Sequence, residues 1–214
     1  NTKSLEIITN KDLIRKTLGG RGLGTYLYLR DYDLSLDPYD ERSPLIVATG
    51  SLTGTNFPSS GRTSVIFKSP TTGSFFKTNV GGHFGAGLKW AGYDLIIVTG
   101  KSEHPCYILL SNDEIEIKDA TSLWGMDNRT LSETLREQFR DDSMEIMSIG
   151  PAGENKVLFS SIHTSIYNAA ARGGGGALMG DKKLKCIAVR GKHFVQYFDH
   201  ERFQKAKDRI SQKM

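Results

Sequence analysis

Two arginines and two glycine-rich stretches are the residues of this chain whose types and spacing could do chemistry. Arg172 stands at the head of four consecutive glycines, Gly173 to Gly176, in YNAAARGGGGALMGDKKLKCIAV (Tyr167–Val189). Glycine costs roughly 1 kcal/mol against alanine inside a helix, so such a run needs a physical reason. Either the backbone takes positive φ, or it must touch something large and flat. Arg62 follows Gly61 after a polar loop and opens a strand, where its planar fork can reach an anionic ligand. Helix N-termini with free N–H groups suit phosphates, so the two glycine-rich helix starts are the expected anion sites. Neither stretch follows the dinucleotide pattern: Gly82-x-x-Gly85-x-Gly87 has the wrong spacing and precedes its strand. No G-x-x-x-x-G-K-[ST] is present, which argues against an ordinary ATP site. His83 lies inside the first glycine-rich helix and His163 in the segment before the second, and both read as solvent-facing or satisfied in the core rather than as acid–base groups. Asp94, at the start of a strand, reads as structural, and Lys182-Lys183-x-Lys185 reads as a solvated turn.

The composition narrows the classes. The chain has 214 residues with 38% hydrophobic and 24% charged residues, enough for a sizeable core. A net charge of +4 is too mild to argue for nucleic acid. No apolar run approaches the roughly 18 residues of a membrane span, and no signal peptide is visible, so the expected location is cytoplasmic. Cys106 and Cys186 sit in apolar runs and read as buried free thiols. Two cysteines this far apart in the sequence cannot hold an iron–sulfur cluster or a structural zinc. A chain that begins at Asn1 reads as trimmed.

The elements that must position these residues read as follows. Leu5–Thr9 is a short strand, and Asn10 caps a helix through NKDLIRKTL that Gly19 and Gly20 stop. Leu23, Tyr26, Leu27 and Arg30 at helical spacing make Arg21–Asp33 a second helix. Leu45–Thr49 and Arg62–Lys68 are strands around the turn-rich GSLTGTNFPSSG (Gly50–Gly61), and SFFKTN follows. Asn79 is placed to cap a helix through the first glycine-rich stretch, ending near Gly92. Asp94–Thr99, Pro105–Leu110 and Ile115–Lys118 are strands, the last two a hairpin. Asn128–Arg140 is a helix with Leu131, Leu135 and Phe139 on one face. Ile146–Ile149, Lys156–Ser161 and Lys185–Arg190 are strands, and Asp199 caps a terminal helix carrying Phe203, Ala206 and Ile210.

GGHFGAGLKWAGYDLIIVTGK (Gly81–Lys101) follows the plan of the later stretch at an offset of 91 residues, Gly100 falling on Gly191. Gly82 meets Gly173, Gly85-Ala86 meets Gly176-Ala177, Ile96 meets Ile187 and Val98 meets Val189. Upstream, Thr49-Gly50…Gly54 resembles Ile149-Gly150…Gly153, and Val65-Ile66-Phe67 resembles Val157-Leu158-Phe159. The expected fold is therefore α+β with an internal duplication: two related, mostly antiparallel β-sheets with helices on one side. The repeats run about 1–101 and 102–192.

The set GGRGLGTYLYL, LIVATGSLTGTNFPSSGRTSVIFKSPTTG, TNVGGHFGAGLKWAGYDLIIV, SLWGM, SIGPAGENKVLFSSI and AAARGGGGALMGDKKLKCIAV resembles the N-terminal domain of the aldehyde ferredoxin oxidoreductases. The likeness runs from about Thr2 to Lys192, with the family's opening strand cut short before Thr2. It implies a pterin-binding domain over 1–198, its two β-sheet units forming a saddle-like base for the cofactor, and a helix at 199–214 leading to further domains. The implied cofactors are a tungsten (or molybdenum) bis-pterin and magnesium, with a 4Fe-4S cluster in the full-length enzyme only. By the same resemblance Asn79 and Ala169 hold the magnesium through backbone carbonyls, and Arg62 lies between pterin and cluster. Gly81 and Arg172 match pterin contacts; Asn168 and Ala171 stand where better-known members carry an arginine and a glycine, and are carried as cofactor-binding positions. No catalytic residue is implied in this chain. The implied activity is oxidation of aldehydes to carboxylic acids, with ferredoxin as electron acceptor and the later domains as partners; a homodimer is also open. Two other classes stay open: a non-redox binding module for a phosphate-bearing ligand, and a structural domain that has lost the cofactor.

Overall fold

The computed structural model describes residues 10–112 and 114–213, so the strand expected at Leu5–Thr9 lies outside the described residues. Two sheets carry the fold. The first contains β1 (Leu45–Thr49), β2 (Thr63–Lys68), β3 (Phe75–Val80) and, after helix α3, β4 (Leu95–Val98). Its order is β3-β2-β1-β4, antiparallel throughout. The second contains β5 (Cys106–Ser111), β6 (Glu114–Asp119), β7 (Glu145–Ser148), β8 (Ile162–His163), β9 (Ala169–Ala170) and β10 (Leu184–Arg190). Its order is β6-β5-β10-β7-β8-β9, and only the β10–β5 pair is parallel.

The helices fill the spaces between and outside the sheets. Asn10 caps α1 (Lys11–Thr17), accepting from the Leu13 N–H at 2.9 Å. Helix α2 (Gly20–Asp31) lays Tyr28 on Ile46, Ala48 and Ile66, the outer face of the first sheet. The Tyr28 ring meets Phe75 edge-on at 5.3 Å. Helix α3 (Phe84–Trp90) and α6 (Gly175–Asp181) lie between the sheets, in one core with Val47, Phe67, Ile108, Met147 and Ile187. Helix α4 (Asn128–Phe139) covers the outer face of the second sheet with Leu131 and Leu135. Each of those leucines contributes about 1.5–3 kcal/mol by burial. A single turn, α5 (Pro151–Glu154), packs on α6, and α7 (His200–Ser211), capped by Asp199, buries no residue. Helices thus lie on both faces of each sheet rather than on one side. Both sheets expose an apolar face on each side, and an uncovered one would be costly.

A helix squeezed between two sheets explains the first glycine-rich stretch. A Cβ on Gly85 would lie 2.4 Å from the Thr63 hydroxyl on the first sheet, and one on Gly87 would lie 3.1 Å from Glu145 on the second. Asn79 does not cap this helix. It sits inside β3, and α3 begins five residues later with His83 at the cap position and no side-chain capping bond. Residues 156–161 form turns rather than a strand, because their backbone is spent on the contacts that seat α6: Gly176 donates to the Ser160 carbonyl at 3.1 Å. The lysine cluster is also not a solvated turn. Lys182 and Lys185 are 2% and 0% exposed. Lys185 bonds Glu154 and donates to the Met126 carbonyl at 2.7 Å; Glu154 in turn accepts from the Gly125 N–H at 2.9 Å. Asp94 is structural as expected, paired with Lys89, and Cys106 and Cys186 are buried free thiols. Among the described residues, no helix is long and apolar enough to cross a membrane.

Candidate functional site

Each sheet ends in an edge strand, β3 in one and β9 in the other, and these two edges pack against each other. A depression of about 380 Å³ opens at that seam, lined by Arg62, Phe76, Lys77, Thr78, Asn79, Ala169, Ala171 and Arg172. The volume falls within the range of small-molecule sites. Five of the seven residues singled out from the sequence therefore meet at one place, although Arg62 and Arg172 are 110 positions apart in the chain.

Hydrogen-bonded rows bring them there. In the first sheet the cross-strand partners Leu95, Ala48, Ser64 and Asn79 form one row. In the second, Cys186, Ser148, His163 and Ala169 form another. Leu95 and Cys186 differ by the same 91 positions that align the glycine-rich stretches, so Asn79 and Ala169 end corresponding rows. The Asn79 side-chain amide lies 3.0 Å from the Ser64 hydroxyl, which ties it along its own row.

Arg62 is placed by the loop before β2. Thr53 donates to the Ser60 carbonyl at 2.9 Å, and the Trp90 indole N–H donates to the Gly54 carbonyl at 2.9 Å. The C-terminal segment closes over the same loop, with His193 donating to the Trp90 carbonyl at 2.8 Å and the Phe203 ring on Phe57 at 5.8 Å. Arg172 follows β9 and precedes the glycine run, whose first member is pinned: Ser69 donates to the Gly173 carbonyl at 2.8 Å.

The run of four does not open onto the depression. A Cβ on Gly173 would lie 2.4 Å from the Phe76 ring, and one on Gly174, at φ +73°, would lie 2.3 Å from the Leu158 carbonyl oxygen. Protein atoms fill the space the glycines leave, so they serve packing instead of approach by a flat ligand. No residue of α3 or α6 lines the depression. Gly81 and Asn168 do not line it either; they meet each other. A Cβ on Gly81 would lie 2.8 Å from the Asn168 side-chain oxygen, and the Gly81 carbonyl accepts from Thr164 at 2.9 Å. Asn168 bonds Ser165 through its backbone and side-chain nitrogens at 3.1 and 3.0 Å. The Thr164 bond joins the two halves beside the depression. His83 is exposed, and His163 bonds the Ser161 hydroxyl at 2.8 Å.

The lining holds three cations, Arg62, Lys77 and Arg172, and no carboxylate. Among the described residues none of the three makes an ion pair, whereas Lys89, Lys101, Lys156 and Lys185 each face an aspartate or glutamate. Like charges gathered without counter-charge create a positive potential that favours an anionic ligand. Lys77, Phe76 and Thr78 escaped the sequence reading; their only signal was membership of the strand that carries Asn79. No group of three or more His, Cys, Asp or Glu side chains among the described residues could hold a metal ion. The oxygens left on the lining for a cation are those of the backbone and of the Thr78 and Asn79 side chains.

Fold and site define a two-sheet α+β domain with a cationic ligand seam. The chain matches the family model "Aldehyde ferredoxin oxidoreductase, N-terminal domain" over residues 1–191. It is 48% identical over 197 residues to a tungsten-containing aldehyde ferredoxin oxidoreductase from Pyrococcus horikoshii, covering 91% of this chain and 32% of that protein. An aliphatic sulfonate oxidoreductase, WOR-like subunit, from Pyrococcus furiosus is 37% identical over 88% of this chain and 32% of its own. Among solved structures, the active-site complex BamBC of benzoyl coenzyme A reductase superposes with a TM-score of 0.92 at 32% identity, covering 96% of this chain and 31% of that one. The chain belongs to the aldehyde ferredoxin oxidoreductase N-terminal domain family. It spans about a third of the length of the curated relatives it matches.

Proposed function

We propose that this chain is the cofactor-binding base of a tungsten- or molybdenum-dependent bis-pterin oxidoreductase that oxidises aldehydes to carboxylic acids and passes the electrons to ferredoxin. One observation carries the reading: Asn79 and Ala169, at the ends of corresponding rows in two abutting sheets, share a depression with Arg62 and Arg172. The same strand order, third-second-first-fourth, in β1–β4 and in β7–β10 supports an internal duplication with repeats of about 1–101 and 102–192, within a domain of 1–198. Two related edges meeting at a seam form the saddle-like base that a two-fold ligand requires.

The residues present suit such a ligand. Arg172 would contact the pterin, Arg62 would lie between pterin and cluster, and the Asn79 and Ala169 carbonyls would hold the magnesium. Ala171 would line the contact, with Gly81 and Asn168 as further cofactor-binding positions beside it. When bound, the metal–pterin group supplies the two-electron redox chemistry; this chain binds and orients it. The 4Fe-4S cluster and substrate pocket belong to the remaining two-thirds of the enzyme, which is expected in the cytoplasm, and a homodimer is compatible with the fold. This chain alone is expected to have no turnover.

The test is metal analysis of the full-length enzyme, with pterin fluorescence after oxidation and aldehyde-dependent reduction of ferredoxin. Tungsten or molybdenum, together with pterin and reduction, upholds the reading. A protein with neither metal nor pterin overturns it, leaving a non-redox phosphate-binding module if it still binds pyrophosphate and a structural domain if it does not.

A further inference from the structure

We infer that Lys77 is a third ligand-binding cation of the seam, neutralising a phosphate group of the bound ligand; the assignment rests on the reading above. Lys77 lies on β3 two residues before Asn79, and successive odd positions of a strand share one face. With the Asn79 amide turned so that both its ends are satisfied, its nitrogen donates to the Ser64 hydroxyl and the Thr78 carbonyl, and its oxygen accepts from Lys77 Nζ at 3.3 Å. The ammonium is thus held at the end of the row that carries the proposed magnesium carbonyl, on the lining of the depression.

Its surroundings argue against a stabilising role. The side chain is half-buried, and among the described residues no carboxylate pairs with it. Bringing it beside Arg62 and Arg172 adds like-charge repulsion that nothing within the described residues offsets. A phosphate group in the depression offsets it. The two arginines offer planar forks that orient a phosphate, whereas a lysine ammonium is a compact point charge on a flexible stem. Lys77 therefore contributes attraction rather than orientation, and its replacement by arginine is expected to be tolerated.

The experiment uses the full-length enzyme freed of cofactor, with inorganic pyrophosphate as the probe and calorimetric binding at two salt concentrations. K77Q is expected to weaken pyrophosphate binding about tenfold and to flatten its salt dependence, K77R to restore most of the affinity, and K118Q, on β6 at the edge of the second sheet opposite β9, to match the unsubstituted enzyme. Pterin recovered per chain from the enzyme as isolated is expected to fall in K77Q. Where K77Q lowers the melting temperature, K77M keeps the apolar stem and removes only the charge. Unchanged pyrophosphate affinity in K77Q or K77M, with R172A weakened, overturns the inference and leaves the phosphate reading standing. No pyrophosphate binding by the unsubstituted enzyme overturns that underlying reading, and with it the inference.

Discussion

Lys185 and Lys77 both sit on strands of this domain, and their surroundings are opposites. Lys185 is fully buried, bonded to Glu154 and the Met126 carbonyl, with Glu154 completed by the Gly125 N–H. Lys77 lies at a sheet edge among Arg62 and Arg172, with no carboxylate on the lining. A charge withdrawn from water must be satisfied within the fold, since an uncompensated buried ion costs several kcal/mol. Cations left together at a seam without counter-charge do nothing for stability. Their arrangement has a reason only if something anionic completes it.

The comparison breaks most sharply at the buried pair. Lys185→Met alone leaves Glu154 without its partner and is expected to lower stability by about 3–5 kcal/mol, read from urea denaturation. Adding Glu154→Gln should recover a substantial part of the loss; a double variant as unstable as the single one would show that the pair is not what Lys185 serves. Next in size, Gly174→Ala puts a Cβ into the Leu158 carbonyl at positive φ, for a loss of about 2 kcal/mol or more in the same assay. An unchanged midpoint would return the glycine run to a ligand-facing role.

At the seam the expected pattern inverts. Arg172→Ala should leave stability within about 0.5 kcal/mol and weaken pyrophosphate binding to the cofactor-free full-length enzyme about tenfold, in keeping with a lost charge-assisted hydrogen bond. A large stability loss with unchanged binding would reverse the assignment of the two regions.

A further prediction concerns Lys182, where burial, helped by Lys101, lowers the pKa to about 8. A free lysine titrates near ~10.4, so between pH 8 and ~10.4 the unfolded chain holds a proton that the folded one sheds. Unfolded chains that bind more protons make stability rise with pH. The stability of the unsubstituted chain relative to Lys182→Met is therefore expected to increase across that window and to be flat below it. Burial pushes the Cys186 thiol up and acts with the opposite sign, but it is common to both proteins and cancels in the difference.

Much of the architecture was legible because local pattern and burial agreed. Leu45–Thr49 is an uninterrupted apolar run and forms β1 with every residue buried. Asn10, Asp199 and the Leu131/Leu135 spacing mark their helices correctly, since capping and helical periodicity are short-range effects. Asn79 misled, because a side chain suited to capping sits equally well on an edge strand whose face is wet. Residues 156–161 carry the apolar run Val157–Phe159 of a strand but make turns, because the carbonyl of Ser160 is taken by the Gly176 N–H of α6. Lys182 and Lys185 look solvated in a linear reading, since nothing local announces that Glu154 lies across from Lys185.

By itself, then, the sequence determined the family, the α+β class and most elements, together with five residues that line one seam: Arg62, Asn79, Ala169, Ala171 and Arg172. The elements follow from short-range periodicity and caps, Arg62 and Arg172 from their places beside glycines, and Asn79, Ala169 and Ala171 from the family resemblance. Only the tertiary structure decided that Gly81 meets Asn168 beside the depression, that Gly173 and Gly174 make room for Phe76 and Leu158, and that Lys77 joins the arginines. Each of these depends on which strand edge lies against which, a long-range pairing that no local window of residues encodes.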